Sequence, residues 1–409
     1  MTGFMKIIYF HQHFSTPAGS TGTRSYEMAR ALIAAGHEVT MVCGSYQGGI
    51  NGLSGPFVRG KREGVVDGIK VVEFEIDYSN HLSFTRRTLV FLKYALRSLG
   101  IALTWPCDLV FATSTPLTAG IPGIFVRWFK GKRFVFEVRD LWPELPREMG
   151  VITNPLILGL MSLLEWISCN SANACIGLSP GIVKGIKMRC RPGKPVAMIP
   201  NGCDLDFFDN INCEPLRPEG VKENDLMAIF TGAHGIANGL DAVLRAAEVL
   251  QQRGRQDIKL VFIGDGKLKP GLMETAASKK LDSCIFLDPV PKKQLPGYMR
   301  GADLGLMILA NVPAFYYGTS PNKFFDYLAM GLPVLNNYPG WLAEMITEHK
   351  CGYAIAADNP EAFADALENA ADNRERLKTM GNNARRLGET EFARNKLAAR
   401  FVEWLEKVK

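Results

Sequence analysis

The chain reads as an α/β protein made of two doubly wound halves, each a mainly parallel sheet wrapped by helices. Three observations predict this. Short β-rich runs alternate with helical stretches from end to end. Most of those runs are continuously apolar, as strands covered on both faces must be. A length of 409 residues also suits two cores of about 200 residues better than one.

Taken in order, the strands of the first half are predicted at Lys6–Phe10, Glu38–Cys43, Ile69–Glu75, Asp108–Thr113, Arg133–Val138 and Asn173–Leu178. Those of the second are predicted at Leu226–Thr231, Lys259–Gly264, Cys284–Leu287, Leu304–Ile308 and Pro333–Leu335. Helical periodicity fills the gaps, as in Arg24–Ala35, Gly239–Gln252 and Asn322–Met330. Between the halves, IPNGCDLDFFDNINCEPLRPEG is rich in Asn, Asp, Pro and Gly and reads as a linker. The domains are therefore set at 1–200 and 201–388, with a C-terminal amphipathic helix in 389–409. In doubly wound sheets ligands sit beyond the carboxyl ends of the strands, so the chemistry is sought there, in a cleft between two facing sheets.

Composition narrows the classes. With 47% hydrophobic and 22% charged residues, the chain has apolar material for two cores and no mark of disorder. Nine scattered cysteines, none spaced CxxC, argue against a disulfide framework or structural zinc site and favour a reducing cytoplasm. The start MTGFMKIIYFHQHF lacks the pattern of a signal peptide. The longest largely apolar stretch, Leu156 to Ile167, contains Glu165 and is too short to span a bilayer. Charge is uneven: residues 1–200 carry 22 Lys and Arg against 13 Asp and Glu, a net +9, and the remainder nets −3. A basic half suits a polyanion or an anionic membrane, and no nucleic-acid-binding module is present.

After the first strand, Gly19 and Gly22 leave the backbone open just before a helix, where free N–H groups favour an anion. The spacing is not GxGxxG, and a plain strand–helix turn reads equally well. The densest constellation is GTSPNKFFDYLAMGLPVL, Gly318 to Leu335. Ser320, Pro321 and Asn322 form a helix start, Lys323 offers a point charge for a phosphate, and Asp326 lies one turn on from Asn322, placed for ribose hydroxyls. An ordinary capped helix is the alternative. Asp204-Leu205-Asp206 has the DxD form of a metal site, but it sits in the linker without further carboxylates. His11 and His13 share a strand face and lack a third zinc ligand.

These motifs resemble the retaining family 4 glycosyltransferases, which have the two-domain GT-B fold of facing Rossmann-like domains. The likeness runs in order through TPAGSTGTRSYEMARALIAAGHEVTMV, IPNGCDLDFF, LVFIGDGKLKPGL, FLDPVPKKQLPGYMRGADLGLMIL and PGWLAEMITEHKCGYAI. VRDLWPE and SPNKFFDYLAMG resemble most closely the members that transfer N-acetylated deoxy-aminosugars, such as bacterial N-acetylfucosaminyltransferases of surface-polysaccharide assembly. The resemblance implies transfer, with retention, of such a sugar from a UDP-sugar to a lipid-pyrophosphate-linked saccharide in lipopolysaccharide or polysaccharide synthesis, without metal or cofactor. A nucleotide-sugar 2-epimerase and a non-catalytic nucleotide-sugar-binding subunit are the alternatives.

Residue by residue, the resemblance places Gly19 and Gly22 near the diphosphate, and Gly232 and Val290 beside the donor, the Val290 backbone at the nucleobase. It sets Thr319, Ser320 and Asn322 at the sugar and phosphates, Lys323 at the phosphates, Asp326 at the ribose and Glu344 as a further donor-site acid, although the sequence reads Glu344 equally well as a surface carboxylate. Asp140 and Glu144 fall near the acceptor, as orienting groups or a proton acceptor, with a structural role for Glu144 equally open. Arg139, at a position where the family's His contacts the donor sugar, and Lys323 are also counted as catalytic. The chain departs from the family pattern in three places. Gly318 stands where the first Glu of a Glu–x7–Glu pair belongs, with Asp326 in the second place. Ala233 and Asn238 replace an Arg and a Lys, which leaves Lys323, with Arg24 or Arg139, to neutralise the leaving group. Arg139-Asp140 replaces His-Asp, and Arg cannot serve as a base at neutral pH.

Finally, Leu82 to Gly100 interleaves Arg86, Arg87, Lys93 and Arg97 with Leu89, Phe91, Leu92, Tyr94, Leu96 and Leu99. This pattern fits an interfacial membrane helix, a helix packed on the first sheet, or both. The partners expected are thus a nucleotide sugar, a lipid-linked acceptor and the inner surface of the cytoplasmic membrane. The C-terminal helix is expected, by the resemblance, to cross back onto the first domain.

Overall fold

The computed structural model describes residues 3–19, 21–46, 49–79 and 82–408. It contains fourteen strands among these residues, in two sheets. The first sheet comprises β1 (Lys6–Phe10), β2 (Glu38–Tyr46), β3 (Lys61–Val66), β4 (Ile69–Tyr78), β5 (Leu109–Thr113), β6 (Arg133–Val138), β7 (Ala174–Gly177) and β8 (Val196–Met198). The second comprises β9 (Leu226–Thr231), β10 (Ile258–Ile263), β11 (Cys284–Leu287), β12 (Leu304–Met307), β13 (Val334–Asn336) and β14 (Gly352–Ala354). Helices follow nearly every strand, so both are doubly wound, Rossmann-like domains.

Strand order is β3-β4-β2-β1-β5-β6-β7-β8 in the first sheet and β11-β10-β9-β12-β13-β14 in the second. All neighbours are parallel except β3, which pairs antiparallel with β4. The order reverses at β1/β5 and at β9/β12, and those reversals are where doubly wound sheets place ligands. The central strands are buried along nearly their whole length, which is why they read as continuous apolar runs. Three strands escape that signal. β3 alternates half-buried and exposed residues at the sheet edge, and β8 and β14 are three-residue edge strands with no buried position.

By contacts the chain forms two units: Met1–Pro200 with Gly318–Ser320 and Asn395–Lys409, and Asn201–Tyr317 with Pro321–Arg394. The last helix begins later than 389. The helix Arg374–Thr390 runs through that position, and only after a break does Arg394–Lys407 start. Its residues Leu397, Ala398, Phe401 and Leu405 then join Met5, Tyr9, Met28, Leu32 and Phe111 in one face of the first unit's core.

The helix Phe84–Thr104 bears out the packing reading of Leu82 to Gly100. Tyr94, Ala95, Ser98, Ile101 and Ala102 bury one stripe against the first unit. A second stripe, Leu89, Leu92, Leu96 and Leu103, is exposed, beside exposed Arg86 and Lys93. Arg97 is turned inward, donating to the Gly60 carbonyl at 2.6 Å. Among the described residues no helix is long and apolar enough to cross a membrane.

Candidate active site

The second unit builds its site where β9 and β10 end. Gly232 (φ +138°) and Gly264 (φ +150°) face each other so closely that a Cβ on Gly264 would lie 1.9 Å from the Gly232 carbonyl oxygen. Only glycine at 264 permits that approach. The His234 N–H donates to the Asp265 carbonyl at 2.9 Å, and Leu268 N–H to the His234 carbonyl at 3.0 Å, locking the two loops together.

Against this floor lies the helix Asn322–Ala329, with Pro321 at its N-cap. Its hydrophobic face is buried through Phe324, Phe325, Tyr327 and Leu328. The Tyr327 hydroxyl accepts from Thr231 N–H at 3.1 Å and donates to the Ile229 carbonyl at 3.1 Å. Gly305 makes room for the Tyr327 ring, since a Cβ there would come within 2.5 Å. One turn before Tyr327, Lys323 is thereby set over the end of β9. Its Nζ lies 4.0 Å from the centre of the Phe230 ring and donates to Asn238 Oδ1 at 2.6 Å. A Cβ on Gly232 would touch that ammonium at 3.7 Å. Burial pulls the Lys323 pKa down to about 7, because no carboxylate pairs with it among the described residues. An incoming anion would supply what is missing.

Asp326 has no side-chain hydrogen bond among the described residues, and burial first, then the Asp204 charge, pushes it up to about 6 against the pull of Lys292 and Arg394. Asp204 is differently held. Its two oxygens take Arg394 at 2.7 Å and Lys292 at 2.9 Å, and these cations outweigh burial to keep it well below the usual carboxylate range. The first carboxylate of the DxD motif is thus an ion-paired anchor in the second unit, while Asp206 is exposed. Val290 follows β11, half-buried, with a backbone N–H and C=O that make no hydrogen bond among the described residues. Glu344 is exposed and accepts from the Tyr317 hydroxyl. Ser320 is buried, and Thr319 and Ser320 group with the first unit.

In the first unit, Gly19 and Gly22 lie in the loop between β1 and the helix Arg24–Ala34; Ser20 falls outside the described residues. Gly19 N–H donates to the Thr16 carbonyl at 3.1 Å. Arg24 does not serve as a phosphate cation. It is fully buried and spent on Glu137 at 2.7 Å and on the Pro200 and Ile199 carbonyls at 2.6 and 2.8 Å. Burial would raise the Glu137 pKa, but Arg24 more than offsets it and the pKa falls. Glu137 also accepts from the Thr113 hydroxyl at 2.9 Å.

Two residues on, Arg139 shares that strand face at the carboxyl end of β6. Its N–H donates to Ser114 Oγ at 2.9 Å, and its Nη1 donates to His11 Nε2 at 3.3 Å. Burial drives His11 far below its ordinary pKa, assisted by the Arg139 charge, so the ring is a neutral acceptor. His13 packs among Tyr46, Tyr78 and Phe91. The two histidines are a strut and a packing ring. Asp140 carries a carboxylate without a hydrogen-bond partner among the described residues, its pKa raised by burial and partly restored by Arg139. Glu144 is engaged otherwise: it pairs with Arg189, which also holds Glu165 at 2.6 Å, leaving Asp140 as the free carboxylate of the pair named from sequence.

Asn238 was read only as a lost cation. Instead it bridges, donating to the Ala233 carbonyl at 2.7 Å while accepting from Lys323. Its signal was the Asn-Gly turn that Gly239 (φ +52°) completes. His234 went unremarked as well. It is buried beside Phe230, Phe262 and Phe286, with neither ring nitrogen hydrogen-bonded among the described residues, and burial lowers its pKa to about 4.

Two Rossmann-like α/β domains with parallel sheets are the architecture of the GT-B glycosyltransferases. Residues 19–202 match the glycosyl transferase 4-like domain, and residues 214–387 match the glycosyl transferases group 1. The chain belongs to this group 1, 4-like family. It is 27% identical over 203 residues to D-inositol 3-phosphate glycosyltransferase 2 of Catenulispora acidiphila, covering 47% of this chain and 46% of that one. The chain spans about half the length of the curated relatives it matches. Among solved structures it is similar to WaaG, a glycosyltransferase involved in lipopolysaccharide biosynthesis (TM-score 0.68, 16% identity, 97% and 99% of the chains covered). It is also similar to Anabaena HepE in complex with UDP (TM-score 0.65, 14% identity, 98% and 99% covered).

Proposed function

We propose that the protein transfers a sugar, an N-acetylated deoxy-aminosugar, from a UDP-sugar to a lipid-linked saccharide, with retention and without a metal, in lipopolysaccharide or polysaccharide synthesis. The observation that carries this reading is Lys323, a half-buried ammonium with no carboxylate partner among the described residues, set at a helix start over Gly232. Transfer from a nucleoside diphosphate is accelerated chiefly by stabilising charge on the departing diphosphate. Lys323 and the amides near Asn322 meet that charge, the open Val290 backbone meets the base, and Asp326 accepts from the ribose hydroxyls. Attack on the face that the diphosphate leaves keeps the configuration and lets the leaving oxygen take the acceptor's proton. Asp140, just past the carboxyl end of β6, is the group that orients the acceptor. A lipid-borne acceptor agrees with the +9 charge of residues 1–200 and with the exposed leucine stripe of the helix Phe84–Thr104, which suits an anionic bilayer surface.

The test mixes purified protein with a bacterial lipid extract and a panel of labelled nucleotide sugars, with and without EDTA. EDTA-resistant passage of label from one UDP-N-acetyl sugar into the organic phase is expected, with the anomeric configuration kept. Epimerised donor without transfer would replace this reading with that of an isomerase.

A further inference from the structure

Three cysteines from three successive elements meet in the first unit. Cys169 lies near the end of the helix Pro155–Ser171, Cys175 in β7, and Cys190 at the C-cap of the helix Pro180–Arg189. Their sulfurs are buried and lie within 4.8 Å of one another. Sulfurs about 2.3 Å from a shared ion in trigonal array stand about 4 Å apart, so closure needs movements below about 1 Å. What now holds the thiols is weak: Cys175 and Cys190 each point at the Cys169 carbonyl, at 3.7 and 3.8 Å.

We propose that Cys169, Cys175 and Cys190 form a three-thiolate site for one soft d10 cation of the Cu(I) kind. Soft sulfur donors select such ions over hard ones, and three donors match a trigonal ion without a fourth protein ligand. Three thiolates around a monovalent ion leave a net charge of −2, and cations stand ready to balance it. Lys194 Nζ rests on the Asn170 carbonyl at 3.1 Å and on that of Ala172, and Arg189 directly precedes Cys190. The cysteine spacing hid this arrangement, because the ligands come from three separate elements and not from a CxxC knuckle. Filling the site also bears on the Arg139–Glu144 segment, since Arg189 holds Glu144 and Glu165, and Glu165 accepts from Trp142 N–H at 3.0 Å.

The test titrates fully reduced protein under anaerobic conditions with Cu(I) delivered from a chelator of known affinity. Bound metal is then counted and its ligands read by X-ray absorption. One Cu(I) per chain in an all-sulfur, three-coordinate shell is expected. Affinity should fall by more than about tenfold in Cys175→Ser and in Cys190→Ser and hold in Cys351→Ser, a buried cysteine of the second unit. Cys190 is only partly buried, so its serine variant is the one expected to keep the native circular dichroism and melting curve. No Cu(I) uptake, a shell of nitrogen or oxygen, or full affinity in folded Cys190→Ser would each overturn the proposal.

Discussion

A lysine whose pKa sits near 7 carries a charge that pH can switch off. In the free protein Lys323 is charged below about pH 7 and neutral above it; a bound diphosphate would favour the charged form and raise the pKa. UDP affinity, measured by calorimetry, should therefore be greatest below pH 7. It should weaken by up to about tenfold per pH unit as pH rises from there toward the pKa of the complex. Lys323→Met should flatten that profile and lower turnover by about 100-fold or more. Arg24→Met makes the contrasting case. It strands a buried Glu137 and should cost about 3 kcal/mol in the first unit, read by urea unfolding, while UDP affinity stays unchanged. Sequence alone could show Lys323, because its neighbours compose a local motif. It could not show that Arg24 is consumed by a carboxylate on β6 and by the Ile199 and Pro200 carbonyls, since that pairing joins residues more than a hundred positions apart.

Among elements, legibility followed burial. Strands sealed on both faces announce themselves as apolar runs, and their predicted ranges lie within a residue or a few of the observed ones. Edge strands such as β3 carry Lys61, Arg62 and Glu63 and read as loop, although charged edges are how sheets avoid pairing with other chains. The join of β9 and β10 to their loops depends on Gly264, and Gly264→Ala forces its Cβ into the Gly232 carbonyl. That variant should lose more than about 1 kcal/mol of stability in thermal melts and weaken UDP binding together with it. The helix Phe84–Thr104 is separable from nucleotide chemistry. Leu92→Glu with Leu96→Glu leaves its buried stripe intact, and should abolish sedimentation with anionic vesicles while UDP affinity persists.

At the scale of the molecule, the first unit's core is finished by the last helix. Phe401 is fully buried and meets Phe111 edge-on at 5.1 Å, so Phe401→Ala should cost about 3–5 kcal/mol and lower the melting temperature of the first unit. The alternation of apolar runs and helices made the two-sheet plan legible. It was silent on packing between elements such as this ring pair and the three gathered thiols, since no local pattern encodes which side chains of different elements will touch. The same arrangement sets the order in which the protein can mature on the ribosome. Chains usually fold domain by domain behind the exit tunnel, but here the unit made first stays open along the face of Met5, Tyr9 and Phe111 until Leu397 to Leu405 have emerged. The unit encoded in the middle, needing nothing beyond Arg394, is free to close first, while the unit begun earlier waits for the helix Arg394–Lys407 to complete its core.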